Sequence, residues 1–122
     1  MIITSKIYES EYRFCLILWE NEPINSTKLV KLCKERLDWA KATTYTVIRR
    51  LAERGVLKNE GTIVSSLVSK EQAQLEQMEE LMEKTFENSI PAFIAAFAHT
   101  GKLSRREVEQ LEAMIENYKE EH

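Results

Sequence analysis

The chain has 122 residues, of which 43% are hydrophobic and 30% charged, and its formal net charge is −3. This length fits one domain of ordinary size, or a small domain with an appendage, and the apolar fraction supports a core. No apolar run is long enough to cross a bilayer, and the N-terminus lacks the pattern of a secretory signal. We therefore expect a cytoplasmic protein with no membrane partner.

Charge divides the chain into two parts near Ser69. Residues 1–68 contain 11 lysines and arginines against 8 acidic residues, a net charge of +3. Residues 69–122 contain 6 against 12, a net charge of −6. Because opposite signs indicate different roles, we place the domain boundary between residues 1–68 and residues 69–122.

Three helices are predicted in the first part. The first spans about residues 10–20 and has a broad apolar face. Its members are Tyr12, Cys15, Leu16, Leu18 and Trp19. The second begins at Asn25 or Ser26, either of which is a good N-cap residue. The third spans residues 42–54 and ends at Gly55, since glycine readily adopts the left-handed conformation that terminates a helix.

A β-hairpin is predicted after the third helix. Glu60-Gly61 is a turn signal between two short runs of β-prone residues, 56–58 and 62–68. Three helices followed by a hairpin is the order of a winged helix-turn-helix domain. The predicted fold class is therefore mainly α with a small β-hairpin wing, followed by a C-terminal helical region.

The third helix has two chemically different faces at about 100° per residue. Thr44, Val47, Ile48 and Leu51 share one face, whereas Ala42, Thr43, Thr46, Arg49, Arg50 and Glu53 share the other. Hydroxyls near the start and guanidiniums one turn later suit a helix that lies in a DNA major groove.

The alternative is an ordinary solvated face on which both arginines pair with Glu53. We favour DNA binding, with Thr43 and Thr46 reading bases. The predicted DNA-binding residues are Lys41, Ala42, Thr43, Thr44, Tyr45, Thr46, Arg49, Arg50 and Lys58.

Residues 69–122 are predicted to form three further helices. Ser69 with Gln72 and Ser104 with Glu107 resemble capping boxes, and Gly101 separates the last two helices. About fifty residues are too few to bury the apolar faces of these helices alone, so we expect pairing with a second copy. The predicted dimer interface comprises Leu75, Met78, Met82, Phe86, Ile90, Phe93, Ile94, Phe97, Val108, Leu111, Ile115 and Tyr118. Packing of these faces against the first half is the alternative.

Four segments of the sequence resemble the penicillinase-repressor family of winged-helix transcriptional regulators. They are LILWENEPINSTKLVKLC, WAKATTYTVIRRLAERGVL, SLVSKEQA and KLSRREVEQLEAMIE, and together they extend over essentially the whole chain. The strongest matches are Trp19, Trp39, residues 43–46, Arg50-Leu51 and Gly55. The resemblance implies a homodimeric repressor whose winged helix binds a palindromic DNA operator and whose C-terminal helices dimerise.

The resemblance also implies a release mechanism. In β-lactam-responsive members a sensor protease cleaves an Asn-Phe bond, and the matching position here is Ala96-Phe97. In copper-responsive members a C-terminal cysteine pattern binds metal, and this chain ends in ENYKEEH. Neither pattern is present. An unidentified sensor or protease is one partner that stays open, and release by proteolysis, by a ligand or by a metal is left undecided.

No catalytic constellation or glycine-rich phosphate loop is evident, so we expect no enzyme, no cofactor and no metal. Cys15 and Cys33 lie in apolar helical patterns and are interpreted as buried hydrophobic residues. Two other functions stay open. One is a ligand-sensing winged-helix regulator whose pocket is lined by Met78, Met82, Phe86, Phe93 and Phe97. The other is a winged-helix protein-interaction module that does not bind DNA.

Overall fold

A computed structural model describes residues 6–122 as six helices and three short strands. In chain order these are α1 Glu9–Asn21, β1 Ile24–Asn25, α2 Ser26–Leu37, α3 Lys41–Glu53, β2 Leu57–Glu60, β3 Ile63–Ser66, α4 Lys70–Phe86, α5 Ile90–His99 and α6 Arg105–Glu121. The chain divides into two compact units, Met1–Glu76 and Gln77–His122. The predicted winged-helix fold, mainly helical with a small antiparallel sheet, is confirmed.

Local capping chemistry explains where the helices of the first unit begin and end. The Asn25 side chain accepts a hydrogen bond of 2.8 Å from the Thr27 N–H and so caps α2. At the other end of the helix-turn-helix, α3 is followed by Gly55 in the left-handed region, with φ of 77°. An L side chain is rarely stable in that conformation, which is why glycine ends this helix.

The hairpin turn lies one residue later than predicted. Its two loop residues are Gly61 and Thr62, both with positive φ, and the pair Glu60–Ile63 closes the loop. Two successive residues with positive φ are what a two-residue turn needs to follow the twist of its strands. The turn that was predicted at Glu60-Gly61 therefore lies at Gly61-Thr62.

A third strand was missing from the predicted fold. The two residues of β1 pair antiparallel with β3, Ile24 opposite Val64 and Asn25 opposite Ile63, which gives the sheet order β1-β3-β2. Strand β3 is thus the central strand and connects the wing to the start of α2. A two-residue strand shows no alternation of apolar and polar residues, so the sequence pattern could not reveal it.

The hydrophobic core belongs to the first unit. Its largest fully buried side chains are Phe14, Leu18, Leu29, Leu51, Leu57, Val56, Val64, Thr44, Cys15 and Cys33. The predicted apolar face of α1 was partly wrong, because α1 buries Phe14 and Ile17 and leaves Tyr12, Leu16 and Trp19 half-buried. This helix packs against both α2 and β3, so its buried face is rotated from the one that the sequence pattern indicated.

Helix α4 begins inside the first unit. Ala73 is buried in the core, and the indole N–H of Trp19 donates a hydrogen bond of 3.0 Å to the Val68 carbonyl just before α4. The first turns of α4 are therefore held by α1, although the charge changes sign at Ser69. The functional division at Ser69 stays a prediction.

Both cysteines are free thiols and buried, as their apolar context predicted. Burial raises the pKa of the Cys15 thiol from 9.0 to about 12, with a smaller rise from the nearby Glu11 carboxylate and an opposing effect of Arg54. Burial also raises the pKa of Cys33. Both thiols therefore stay protonated at neutral pH, which makes them poor nucleophiles and poor metal ligands.

The raised pKa of Cys15 predicts that the protein loses stability in alkali. Above pH 9.0 the unfolded chain releases the Cys15 proton while the folded chain keeps it up to about pH 12. Fewer protons are then bound in the unfolded state, so the free energy of unfolding falls by up to about 1.4 kcal/mol per pH unit. Urea unfolding from neutral pH upward measures this slope.

Cys15→Ala provides the matched control, because alanine carries no titrating proton. The variant will be less stable at neutral pH, but its unfolding free energy is expected to decline less steeply above pH 9.0. Equal slopes for the two proteins would contradict the assignment of the alkaline instability to Cys15.

Candidate nucleic-acid interface

The two faces of α3 differ in exposure as predicted. Val47, Ile48 and Leu51 are buried in the core of the first unit. The opposite face is open: Ala42, Thr43, Arg49 and Arg50 are exposed and Thr46 is half-buried. Since α3 is amphipathic, burial of its apolar side leaves the hydroxyls and guanidiniums in solvent.

Thr44 is a correction to the predicted DNA-binding set. Its side chain is completely buried, so it cannot contact DNA. Within residues 6–122 its hydroxyl has no oxygen or nitrogen partner, and it lies beside the Cys33 thiol, whose pKa it lowers against the larger effect of burial. Thr44 therefore belongs to the contact between α2 and α3.

Tyr45 is half-buried and packs against the core with its ring. Its hydroxyl lies 3.5 Å from the hydroxyl of Ser26, a buried residue at the start of α2. The Tyr45 side chain thus joins the two helices of the helix-turn-helix. Any contact that it makes with DNA is limited to the exposed part of the ring and hydroxyl.

The start of α3 lacks a side-chain cap. Its N-cap residue is Ala40, which makes no side-chain capping hydrogen bond. Helices α2, α5 and α6, by contrast, begin with Asn25, Ser89 and Ser104, each of which accepts from an amide of the first turn. The N–H groups of residues 41–43 precede the first intrahelical bond, from Thr44 to Ala40, and are free to bind an external acceptor such as phosphate.

The basic residues of α3 and the wing differ in their pairing. Arg49 lies 4.0 Å from Glu53, and Lys58 lies 3.8 Å from Glu60. Lys41 and Arg50 form no ion pair with any residue in the part of the chain that the structure describes. The alternative in which both arginines pair with Glu53 thus holds for Arg49 alone, at the limit of the distance.

Two further basic residues were missing from the predicted set. Lys28 and Lys31 are exposed on α2 and have no ion pair within residues 6–122, whereas Lys34 on the same helix lies 3.8 Å from Asp38. The first helix of a helix-turn-helix crosses the DNA backbone. The sequence feature that could have indicated them is the spacing of three residues, which places both lysines on one side of that helix.

The second unit buries none of its apolar faces. Helices α5 and α6 contain no buried residue. Nine of the thirteen exposed large hydrophobic residues in the described chain lie in the second unit, because Tyr8, Ile63, Leu67 and Leu75 precede Gln77. The predicted interface residues Met82, Phe86, Phe93 and Leu111 are half-buried, and the exposed Leu81 and Met114 were not predicted.

An apolar groove of about 660 Å³ lies between α5 and α6. It is lined by Phe93, Ile94, Phe97, Leu103, Glu107, Gln110, Leu111, Ala113 and Met114. Of the five side chains expected to line a ligand pocket, Phe93 and Phe97 are in this lining, whereas Met78, Met82 and Phe86 are not. Phe86 instead packs edge-on against Phe93, with ring centroids 5.3 Å apart.

Other kinds of site are absent from the described chain. Residues 6–122 contain no group of three or more His, Cys, Asp or Glu side chains placed to hold a metal ion. Within the same range, every helix is too short or too polar to span a bilayer.

Two comparisons relate the chain to known proteins. A family model described as penicillinase repressor matches residues 7–117. A protein of Latilactobacillus sakei, described as an uncharacterized 16.5 kDa protein in the ptsI 3′ region, is 28% identical over 116 residues, or 92% of this chain and 80% of that protein. Since the family model extends over nearly the whole winged-helix chain, the protein belongs to the penicillinase repressor family, whose members are regulators rather than enzymes.

Proposed function

We propose that this protein is a cytoplasmic, dimeric transcriptional repressor that reads a palindromic DNA operator through α3. The observation that carries the proposal is the outward face of α3. It combines exposed Thr43 and half-exposed Thr46 with Lys41 and Arg50, which have no ion pair in the described chain. Charged side chains left without partners are available to neutralise phosphates.

We assign the contacts with DNA bases to the two threonines near the start of α3. A threonine hydroxyl can donate to or accept from a base edge in the major groove, and its methyl can contact the thymine methyl. Their short side chains let the helix approach the groove floor. Thr43 and Thr46 are three residues apart, so they lie on the same side of the helix.

We assign the contacts with the phosphate backbone of DNA to the surrounding cations and backbone amides of the protein. Lys41 and Arg50 on α3, together with Lys28 and Lys31 on α2, are the cations of the helix-turn-helix that form no ion pair within residues 6–122. The uncapped amides at the start of α3 add a phosphate site. Arg49 and Lys58 contribute less, because each has a carboxylate within 4.0 Å.

The exposed apolar faces of the second unit support dimerisation. A contiguous apolar surface of this kind usually marks an interface with another protein. A second copy is the partner that fits a repressor, since a twofold dimer presents two α3 helices to a twofold operator. The half-sites would then lie about one helical turn, roughly 34 Å, or a multiple apart.

The signal that releases the operator would differ from cleavage at an Asn-Phe bond. The corresponding pair in α5 is Ala96-Phe97, and both side chains are exposed. A protease that requires asparagine at this position has no substrate here. We propose that an unidentified sensor or protease responds to the inducing signal.

A second candidate function is supported by the groove between α5 and α6. Its apolar lining and volume of about 660 Å³ are compatible with a small hydrophobic ligand. Ligand binding would raise the melting temperature at a fixed protein concentration, whereas a groove filled by the partner would give a melting temperature that rises with protein concentration.

Arg50→Ala is expected to weaken binding to every duplex and to reduce the salt dependence of the affinity. The logarithm of the binding constant falls as the logarithm of the salt concentration rises. Loss of one phosphate contact per protomer makes this slope less steep by about 0.9 for each half-site. Fluorescence anisotropy with operator and random duplexes over a range of salt concentrations measures both quantities.

Lys119→Ala is the control for Arg50→Ala, because it removes one cation from α6 in the second unit. It is expected to leave the slope unchanged. If wild-type protein binds no duplex even at low salt, the protein-interaction module without DNA binding becomes the correct function.

Thr46→Ala is expected to narrow the difference in affinity between operator and random duplex by about 1–3 kcal/mol, with the salt slope unchanged. Removing a hydroxyl and a methyl deletes base contacts but no charge. The operator for this measurement is the sequence that wild-type protein selects from random duplex DNA. Thr85→Ala on α4 is the control, and equal discrimination by both variants would remove Thr46 from the reading surface.

Phe97→Asp is expected to convert the dimer to a monomer at micromolar concentration. A carboxylate buried at an apolar interface without a partner would weaken association by roughly 100-fold or more. Sedimentation analysis measures the mass. Leu67→Asp, which changes a similarly exposed residue of the first unit, should remain dimeric. A dimeric Phe97→Asp protein would place the interface elsewhere.

A further inference from the structure

The basic residue that directly follows α3 faces the interior of the first unit. Arg54 is the C-cap residue of α3, and its guanidinium Nη2 donates a hydrogen bond to Oε1 of Glu11 on α1. Only 22% of the Arg54 side chain and 9% of the Glu11 side chain are exposed. Unlike Arg50, Arg54 is therefore not available to a phosphate.

Tyr8 completes the contact. Its backbone N–H donates a hydrogen bond of 3.0 Å to the same Oε1 of Glu11. Its ring lies against the guanidinium, with 5.1 Å between Arg54 Cζ and the ring centroid, a favourable cation–π distance. The carboxylate thus joins two groups, the Tyr8 amide at the start of α1 and the Arg54 guanidinium at the end of α3.

This contact adds a polar connection near the end of α3, where Leu51 is already buried in the core. Near its start, α3 is held to α2 through buried Thr44 and through the Tyr45–Ser26 hydroxyl contact. Near its end, the Glu11–Arg54 ion pair is the corresponding polar connection, and it links α3 to α1. Buried ion pairs contribute little net stability on average, whereas their hydrogen bonds are strongly directional.

We propose that Glu11 and Arg54 are positioning residues for operator discrimination. By fixing the tilt and rotation of α3, they hold Thr43 and Thr46 at the distance and angle that base-edge hydrogen bonds require. Phosphate contacts tolerate larger displacements, because long flexible cations make them. The inference rests on the proposed function, since it assumes that α3 reads DNA.

Glu11→Gln separates positioning from simple electrostatics. Glutamine keeps the length of the side chain and an acceptor for the Tyr8 amide, but it removes the charge that holds Arg54. Electrostatics alone predicts tighter binding to any duplex, since a negative charge is lost. Positioning predicts that the ratio of operator to random affinity falls by about tenfold, the equivalent of one lost base contact.

Arg54→Met and Arg50→Met form the matched pair, because each removes one arginine at the end of the same helix. For Arg54→Met we expect an unchanged salt slope and a loss of discrimination of about tenfold. For Arg50→Met we expect a slope reduced by about 0.9 per half-site, with discrimination retained. The double variant Glu11→Gln/Arg54→Met should lose no more discrimination than either single change, because both break the same contact.

The operator used in these measurements is the duplex that wild-type protein selects, and circular dichroism melting verifies that each variant folds. If Arg54→Met does not melt cooperatively, Arg54→Lys replaces it. Lysine keeps the charge but cannot form the planar fork, so an intermediate loss of discrimination is expected.

Two results would overturn the inference. One is a salt slope that falls in Arg54→Met as much as in Arg50→Met, which would make Arg54 a phosphate contact. The other is wild-type discrimination in Glu11→Gln and in the folded Arg54 variant. Failure of wild-type protein to bind any duplex at low salt is a different outcome, because it rejects the proposed function itself.

Discussion

The packing of one side of α3 against the core is the constraint on which the rest of the first unit depends. Val47, Ile48 and Leu51 are buried there among residues from α1, α2 and the sheet. A helix of 13 residues is marginal by itself, so this burial makes α3 a stable element. The same burial determines which side chains of α3 are exposed to solvent. With the apolar stripe fixed inward, Thr43, Arg49 and Arg50 lie on the surface, so the face that we propose to read DNA follows from the formation of the core.

Within the first unit, the positive charge available to a partner depends on which cations are ion-paired rather than on how many cations there are. Arg36, Arg49 and Lys58 have a carboxylate within 4.0 Å, and Arg54 is held by Glu11. The cations without such a partner in the described chain lie mainly on the helix-turn-helix, at Lys28, Lys31, Lys41 and Arg50. Composition assigns residues 1–68 a net charge of only +3, but the structure concentrates the unpaired part of that charge on two adjacent helices. This arrangement can favour phosphate although the whole chain is acidic.

The features that the sequence predicted are those governed by near neighbours in the chain. The helices, the glycine after α3, the Ser104–Glu107 capping box and the burial of both cysteines depend on residues within a turn or on helical period. The missed features depend on distant residues or on very short elements. Glu11 and Arg54 are 43 positions apart, and the two residues of β1 are ordered by pairing with β3. Thr44 was assigned to the DNA-binding set although the helical period places it on the face of Val47, Ile48 and Leu51, and the structure buries it there.

The second unit poses a different physical problem, since its helices are well capped but have no core. Helices α5 and α6 fully bury no residue, so little of the hydrophobic free energy that normally stabilises helices is gained within the unit itself. Under the proposed dimer, that free energy is gained on association, and the folding of this unit becomes linked to protein concentration. In the proposed dimer, DNA binding also depends on this association. A dimer offers two reading helices, so the second half-site is bound at the high effective concentration set by the first. Any signal that separates the apolar faces of α5 and α6 would then weaken operator binding without touching the residues that contact DNA.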